Sequence, residues 1–161
     1  MKIGVISDTH ISSHREGLPE ALLEKLRGVD LILHAGDLVV LDVLEALREL
    51  APVEAVAGNM DSYQVKETLP GKRIVSAEEL RIGLIHGWGS PRGLPERVLK
   101  EFSQDVAVVV FGHSHRAWQK SVHGTLLFNP GSAKRDFFSP IRSCGMLTIE
   151  GDRVRGEIFQ W

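Results

Sequence analysis

Residues 2–10 read KIGVISDTH, a short apolar and partly β-branched run that passes directly into polar side chains. Such a run is typical of a buried β-strand. Working outward, the helical spacing of apolar residues over Glu20–Gly28 predicts a helix, and Leu31–Leu33 predicts a second strand. A second helix is expected over Leu41–Leu50 and a third strand over Val53–Ala57. This β-α-β-α-β order predicts parallel strands joined by right-handed crossovers.

The second half of the chain predicts another sheet. Apolar runs indicate strands at residues 72–75, 80–85 and 106–111, with a helix over Leu94–Ser103. After Gly112 we expect antiparallel pairing of short strands separated by turn pairs, at Trp118–Val122, Leu126–Phe128, Gly145–Ile149 and Val154–Phe159. The predicted fold class is therefore α/β, with two packed sheets and outer helices in one domain, residues 1–161.

Composition excludes several classes of protein. The 161 residues carry 19 basic and 21 acidic side chains, a balance that argues against a dedicated nucleic-acid surface. The single cysteine, Cys144, excludes an intramolecular disulfide and a cysteine-cluster metal site. The apolar runs are far shorter than the ~20 residues that cross a bilayer, and no signal-peptide stretch precedes the first strand. We therefore expect a cytoplasmic protein without a membrane segment, and the sequence leaves homo-oligomerisation open.

Metal-binding residue types follow the predicted buried strands, each at a carboxyl end. Because these ends face one crevice in an open α/β sheet, we expect the side chains to converge. Each motif alone also fits a structural role, such as a helix N-cap for an aspartate or a turn for an asparagine. The motifs are Asp8-Thr9-His10, Gly36-Asp37, Gly58-Asn59, His86-Gly87 and Gly112-His113-Ser114-His115.

The residue types narrow the choice of metal. Imidazole and carboxylate without thiolate suit divalent manganese, iron, zinc, nickel or cobalt, of which we expect manganese first, and do not suit a structural zinc cage. The ligands are too many for one ion, whereas two ions ~3.5–4 Å apart that share a carboxylate accommodate them. Two divalent ions also outweigh the charges of Asp8 and Asp37, and the positive excess matches an anionic phosphate ester.

Together, the five motifs resemble those of the calcineurin-like metallophosphoesterases, and most of all their small single-domain bacterial and archaeal phosphodiesterases. The run Asn129-Pro130-Gly131-Ser132 resembles the same branch. The resemblance implies a four-layer α/β/β/α sandwich of two mixed sheets flanked by helices. It also implies a dinuclear-metal phosphodiesterase that hydrolyses a small phosphodiester through attack of a metal-bridging hydroxide on phosphorus.

The resemblance assigns roles to individual side chains. Two sets of three would each hold one ion: Asp8, His10 and His115 for the first, and Asn59, His86 and His113 for the second. Asp37 would bridge the two ions, and Asn59 would also donate a hydrogen bond to a substrate oxygen. Asp37, Asn59 and His86 are accordingly the residues expected to take part in catalysis.

Met60 departs from the family pattern. Many members read Gly-Asn-His at this point, and that histidine is thought to protonate the leaving group, whereas this chain reads Gly58-Asn59-Met60-Asp61. Methionine cannot donate a proton, and general-acid catalysis is typically worth ~10²–10⁴-fold in rate. We therefore expect a preference for esters with good leaving groups.

Two other functions stay open at this point. A phosphomonoesterase fits the same ligands, although the absent acid histidine disfavours alkyl esters. The second is a non-catalytic metal-binding or protein-interaction scaffold, because the same fold is reused in eukaryotic vesicle-coat assemblies. In that relative several metal ligands are replaced, whereas all seven are present in this chain. His34 is expected to orient Asp37 or another ligand, and Asp61 to be either a turn residue or a partner that supports a ligand. Phe137-Phe138 suggests an interface or a pocket wall.

Overall fold

The computed structural model describes residues 1–13, 16–102, 105–135 and 140–161. Within these residues, ten strands form two five-stranded sheets and four helices lie beside them. The elements in chain order are β1 (Lys2–Ile6), α1 (Glu20–Leu26), β2 (Leu31–His34), α2 (Asp42–Arg48), β3 (Val53–Ala55), α3 (Tyr63–Thr68), β4 (Lys72–Ala77), β5 (Leu80–Ile85), α4 (Leu94–Leu99), β6 (Val108–Val110), β7 (Trp118–Val122), β8 (Thr125–Asn129), β9 (Ser143–Glu150) and β10 (Arg153–Gln160).

Both sheets are mixed. The first has the order β10-β9-β1-β2-β3, in which β1, β2 and β3 pair in parallel, as predicted, and β9 runs antiparallel to β1. The second has the order β4-β5-β6-β8-β7, with β4 and β7 as antiparallel edge strands. The antiparallel pairing expected after Gly112 is present in the β7–β8 and β9–β10 hairpins, and β8 pairs in addition in parallel with β6. After β6 the chain first forms the edge strand β7 and leaves a gap between the two strands. The hairpin then brings β8 back into that gap, where it runs parallel to β6 and antiparallel to β7.

Three apolar clusters separate four layers. Alternate residues of β1 show the arrangement: Ile3 and Val5 pack between the sheets, while Ile6 packs with the helices on the outer face. Helices α1, α2 and α3 cover the first sheet, and Leu94 and Val98 of α4 cover the second. Strands buried on both faces are apolar throughout, which explains the unbroken apolar runs of the sequence. The four-layer α/β/β/α class is confirmed.

Some elements differ from the sequence-based expectation. Helix α3 was not predicted, because only Val65 of its six residues is buried and no apolar stripe marks it; Ser62 caps it by accepting a hydrogen bond from the Val65 N–H at 3.4 Å. Helix α4 ends at Leu99, before the predicted end at Ser103. Ser103 and Phe137-Phe138 lie outside the described residues. Among the helices that the structure describes, none is long and apolar enough to cross a membrane.

Candidate metal centre

The structure brings all seven predicted side chains together. They leave the carboxyl ends of β1, β2, β5 and β6 and the segment that follows β3, so both sheets contribute. The expected convergence at strand ends is therefore present, and it extends across the two sheets. The hairpins β7–β8 and β9–β10 contribute none of the seven.

The first group consists of Asp8, His10 and His115, whose ligand atoms lie within 4.8 Å of one another. Oδ1 of Asp8 lies 3.2 Å from Nε2 of His115 and 3.7 Å from Nε2 of His10. The two imidazole nitrogens lie 3.2 Å apart. Asp8 is fully buried, so its charge faces these rings and not water.

The second group is built on His86. Nε2 of His86 lies 3.2 Å from Oδ2 of Asp37, and Asp8, Asp37 and His86 also satisfy the 4.8 Å criterion. Oδ1 of Asn59 lies 3.2 Å from Nε2 of His86 and 3.0 Å from Nδ1 of His113. The groups overlap, because Asp8 belongs to the first and lies 4.0 Å from His86 in the second.

The hydrogen bonds around the rings show that this donor set fits a cation. Nδ1–H of His86 donates to the Ala35 carbonyl at 2.7 Å, so the neutral ring turns the Nε2 lone pair towards Asp37 and Asn59. Nε2–H of His113 donates to the Gly89 carbonyl at 2.8 Å, which leaves its Nδ1 lone pair facing Asn59. Oδ1 of Asp8 is buried and makes no hydrogen bond within the described ranges. Several electron-pair donors thus converge, an arrangement that a divalent cation satisfies.

Without a bound cation, the negative charge of the two aspartates is balanced by protonation of a neighbouring histidine. Burial opposes the charged form of His86, but Asp37 at hydrogen-bond distance and the charge of Asp8 outweigh it and raise the pKa of His86 to about 9. Burial would likewise raise the pKa of Asp8, yet its contacts with His10 and His115 hold that pKa well below its usual range. The pKa of Asp37 is lowered too, as the contact with His86 outweighs burial. Both carboxylates are therefore ionised and available as ligands at neutral pH.

Backbone strain is concentrated at these residues. Five of the seven have left-handed backbone conformations, which non-glycine residues adopt rarely and at a cost of ~1–3 kcal/mol each. Such conformations persist only where the surrounding structure imposes them, and they cluster at functional sites. The five φ values are 54° for Asp8, 45° for His10, 57° for Asp37, 67° for His113 and 56° for His115.

The glycines that precede ligands are required by close approach. A Cβ atom on Gly58 would overlap Oδ1 of Asp37, and one on Gly112 would overlap Oγ of Ser7 and lie 2.8 Å from Oδ2 of Asp8. At Gly36, a Cβ atom would lie 2.8 Å from Nδ1 of His86. Side chains at these positions would therefore displace the predicted ligands themselves.

Buried polar residues hold the ligand-bearing loops through their backbones. The Nδ1 atom of His34 accepts a hydrogen bond from the Gly36 N–H at 3.2 Å, and Nε2 then donates to Oγ1 of Thr9 at 3.1 Å. Burial lowers the pKa of His34 to about 4, so this ring stays neutral and keeps that arrangement. Asn129, which the sequence marks only through its motif, donates from Nδ2 to the Gly112 carbonyl at 2.8 Å.

A cavity of about 620 Å³ opens beside the cluster. Five predicted ligands form one part of its lining, and Pro91, Ser114, the exposed Met60 and two cationic residues form the rest. The lining residues are His10, Asp37, Asn59, Met60, Pro91, His113, Ser114, His115, Arg116 and Lys134. The cavity can therefore bring an anionic small molecule directly to the ligand cluster.

Comparison with known proteins identifies the family of the chain. The model of the calcineurin-like phosphoesterase superfamily domain matches residues 1–152. A probable metallophosphoesterase of Methanothermobacter thermautotrophicus is 41% identical over 99% of this chain and 92% of its own length. A phosphodiesterase of Methanocaldococcus jannaschii is 29% identical over 99% of this chain and 100% of its own. The structure of Vps29 from Entamoeba histolytica complexed with Zn²⁺ is 26% identical, with a TM-score of 0.76 over 99% of both chains. The chain therefore belongs to the calcineurin-like phosphoesterase superfamily, within the branch of its small archaeal and bacterial members.

Proposed function

We propose that the protein is a phosphodiesterase that hydrolyses a small phosphodiester with the help of two divalent metal ions, manganese being the first candidate. The observation that carries the proposal is the pair of overlapping ligand groups, Asp8-His10-His115 and Asp8-Asp37-His86, beside an open cavity. The family match and the phosphodiesterase relative support the same reaction.

The distances support a division of the ligands into two sets. Asp8, His10 and His115 would hold one ion. Asn59, His86 and His113 would hold the other, because the amide oxygen of Asn59 lies between the two ring nitrogens. Oδ2 of Asp37 lies 3.8 Å from Nε2 of His10 and 3.2 Å from Nε2 of His86, one member of each set, which supports a bridging role.

The chain's own side chains supply binding and orientation. When bound, a pair of divalent ions makes water a stronger nucleophile and offsets the charge that develops on the phosphoryl oxygens. Asn59 turns its oxygen to the histidines and has its Nδ2 amide available to donate to a phosphoryl oxygen at the cavity wall. Arg116 adds positive charge to the lining, which favours an anionic ester, whereas the charge of Lys134 is offset by Glu16, whose Oε1 lies 3.1 Å from Nζ.

The test combines metal content with turnover. Wild-type protein, stripped by chelation and reloaded with Mn²⁺, is expected to bind two ions and to hydrolyse bis(p-nitrophenyl) phosphate. Asp37→Ala and His113→Ala should lower kcat/KM by at least ~10²-fold, since each removes a ligand. His123→Asn is the matched control, because His123 is exposed in the β7–β8 turn and should leave activity unchanged.

The similarity to Vps29 favours a second candidate, a protein-interaction scaffold that retains metal binding. Stoichiometric metal with no turnover of any phosphodiester or phosphomonoester would support that scaffold and exclude the hydrolase. Faster turnover of p-nitrophenyl phosphate than of the diester would instead identify a phosphomonoesterase.

A further inference from the structure

The side chain of Arg97, on helix α4, contacts the loop that follows His86. Nη1 donates to the Arg92 carbonyl at 3.0 Å, and Nη2 donates to the Trp88 carbonyl at 2.9 Å and also to the Ser90 carbonyl. Within the described residues no carboxylate pairs with this guanidinium, so main-chain carbonyls are its partners. The residue therefore joins three points of one loop.

That loop carries a hydrogen-bond acceptor of the metal centre. Gly87 and Gly89 have φ values of +99° and +75°, and these left-handed turns alternate the direction of successive carbonyls. The Gly89 carbonyl, between the two that Arg97 binds through Nη2, points to Nε2 of His113 at 2.8 Å. Arg97 thus fixes the peptide groups on either side of the one that His113 contacts.

The contact with Gly89 decides which nitrogen of His113 can bind metal. The Gly89 carbonyl oxygen can only accept a hydrogen bond, whereas the Asn59 amide can present either its oxygen or its NH₂ group to Nδ1. The Gly89 contact therefore places the hydrogen of the neutral ring on Nε2. Nδ1 is then the electron-pair donor, and it lies 3.0 Å from Oδ1 of Asn59. If the Gly89 carbonyl moved away, the ring would lose the partner that selects this tautomer and orientation.

We propose that Arg97 is a positioning residue for His113: through the loop of residues 88–92 it holds the Gly89 carbonyl against Nε2–H and so presents Nδ1 to the second ligand set. The inference rests on the proposed function only in naming a divalent ion as the ligand of Nδ1. Lysine cannot reproduce these contacts, because two separate nitrogens of the guanidinium donate to three carbonyls, whereas an ammonium group has a single nitrogen on a flexible stem.

Ring tautomers in the metal-free protein give a test that is independent of activity. Long-range ¹H–¹⁵N NMR spectra should show His113 as the Nε2–H tautomer in the wild type. In Arg97→Lys and Arg97→Met both tautomers of His113 should be populated, while the tautomer of His34 should be unchanged. Arg155→Lys is the matched control, since Arg155 is exposed on β10 in the other sheet and pairs with Glu157.

Metal titration gives the second arm. In the Arg97 variants, affinity for the second Mn²⁺ or Zn²⁺ ion should fall by ~10–100-fold, as is typical when a partner of a ligand is removed, while the first ion binds as in the wild type. An Arg97→Lys protein that keeps both the His113 tautomer and the second-ion affinity within twofold would overturn the proposal. If Arg97→Met does not fold, Arg97→Lys alone decides. If the wild type binds no divalent ion, the proposed function fails, and the tautomer comparison still decides the role of Arg97.

Discussion

Oδ2 of Asp61 accepts a hydrogen bond from the backbone N–H of Asp37 at 3.2 Å, although the two residues lie 24 positions apart. The same oxygen accepts from the Gly58 N–H at 2.6 Å, and Oδ1 accepts from the Val39 N–H at 2.5 Å. One buried carboxylate therefore connects the loop after β2 with the segment after β3. The relative position of Asp37 and Asn59 depends on a residue that is not itself in the ligand cluster.

Replacing Asp61 should weaken both stability and metal binding. Asp61→Asn keeps the shape but places an NH₂ group against backbone N–H donors, and we expect a loss of ~1–3 kcal/mol in the free energy of unfolding. Metal affinity should fall by ~10–100-fold, because Asp37 and Asn59 lose their common support. Urea unfolding and metal titration measure the two effects. Asp152→Asn, at an exposed turn, is the control, and an Asp61→Asn protein indistinguishable from it would contradict the assignment.

Two glycines in the same region should respond differently to alanine. In Gly58→Ala the new Cβ atom would overlap Oδ1 of Asp37, whereas a Cβ atom on Gly71 would have no described residue other than its chain neighbours within 4 Å. We expect Gly58→Ala to lower metal affinity by at least ~10-fold. Gly71→Ala should bind metal normally, and its stability should change by less than ~1 kcal/mol. Isothermal titration of both proteins checks this, and equal affinities would show that Asp37 is not a ligand.

The metal-free protein should lose stability as pH rises from about 6.5 to about 9. The pKa of His86 is raised from 6.5 in the unfolded chain to about 9 in the folded one, so its charged form stabilises the fold fully below the lower value and not above the higher. Bound metal replaces that proton, so the loaded protein should lack this decrease and metal affinity should rise with pH over the same window. Thermal unfolding with and without Mn²⁺ measures both, with His86→Gln as the variant that lacks the decrease. Metal-free stability that is flat over this range would contradict the environment assigned to His86.

The ligand cluster could be predicted because its members follow buried strands. An apolar run that ends in Asp, Asn or His next to glycine predicts both a strand and the position of its carboxyl end. Parallel strands then bring those ends together at one edge of the sheet. The second sheet was predictable to the same extent at β5 and β6, which supply His86 and the motif that contains His113. The first sheet's β-α-β-α-β order left little freedom in its pairing.

Other features depend on contacts that no local pattern records. Helix α3 has one buried side chain and is stabilised by its cap and its tertiary contacts, so its sequence lacks helical periodicity. The role of Asp61 involves backbone N–H groups, which are the same for every residue type except proline. Arg97 resembles any surface arginine in the sequence, since its partners are carbonyls of a loop whose path depends on Gly87 and Gly89.

Met60 stands where many members of the wider family have a histidine. Its side chain is 60% exposed and lines the cavity beside Asp37, whose Oδ1 accepts a hydrogen bond from the Met60 N–H at 2.7 Å. The wild type should hydrolyse aryl phosphodiesters far faster than alkyl ones, since an alkoxide needs a proton to leave. Met60→His should raise the alkyl-to-aryl ratio of kcat by at least about tenfold, within the ~10²–10⁴-fold that a general acid can supply.

Tyr63→His adds a histidine nearby, at a residue that is 77% exposed and outside the cavity lining, and should leave the ratio unchanged. Equal wild-type rates on both esters would mean that another side chain of the cavity already supplies the proton. Lys134→Gln would then be the next variant to compare, since an arginine does not release its proton.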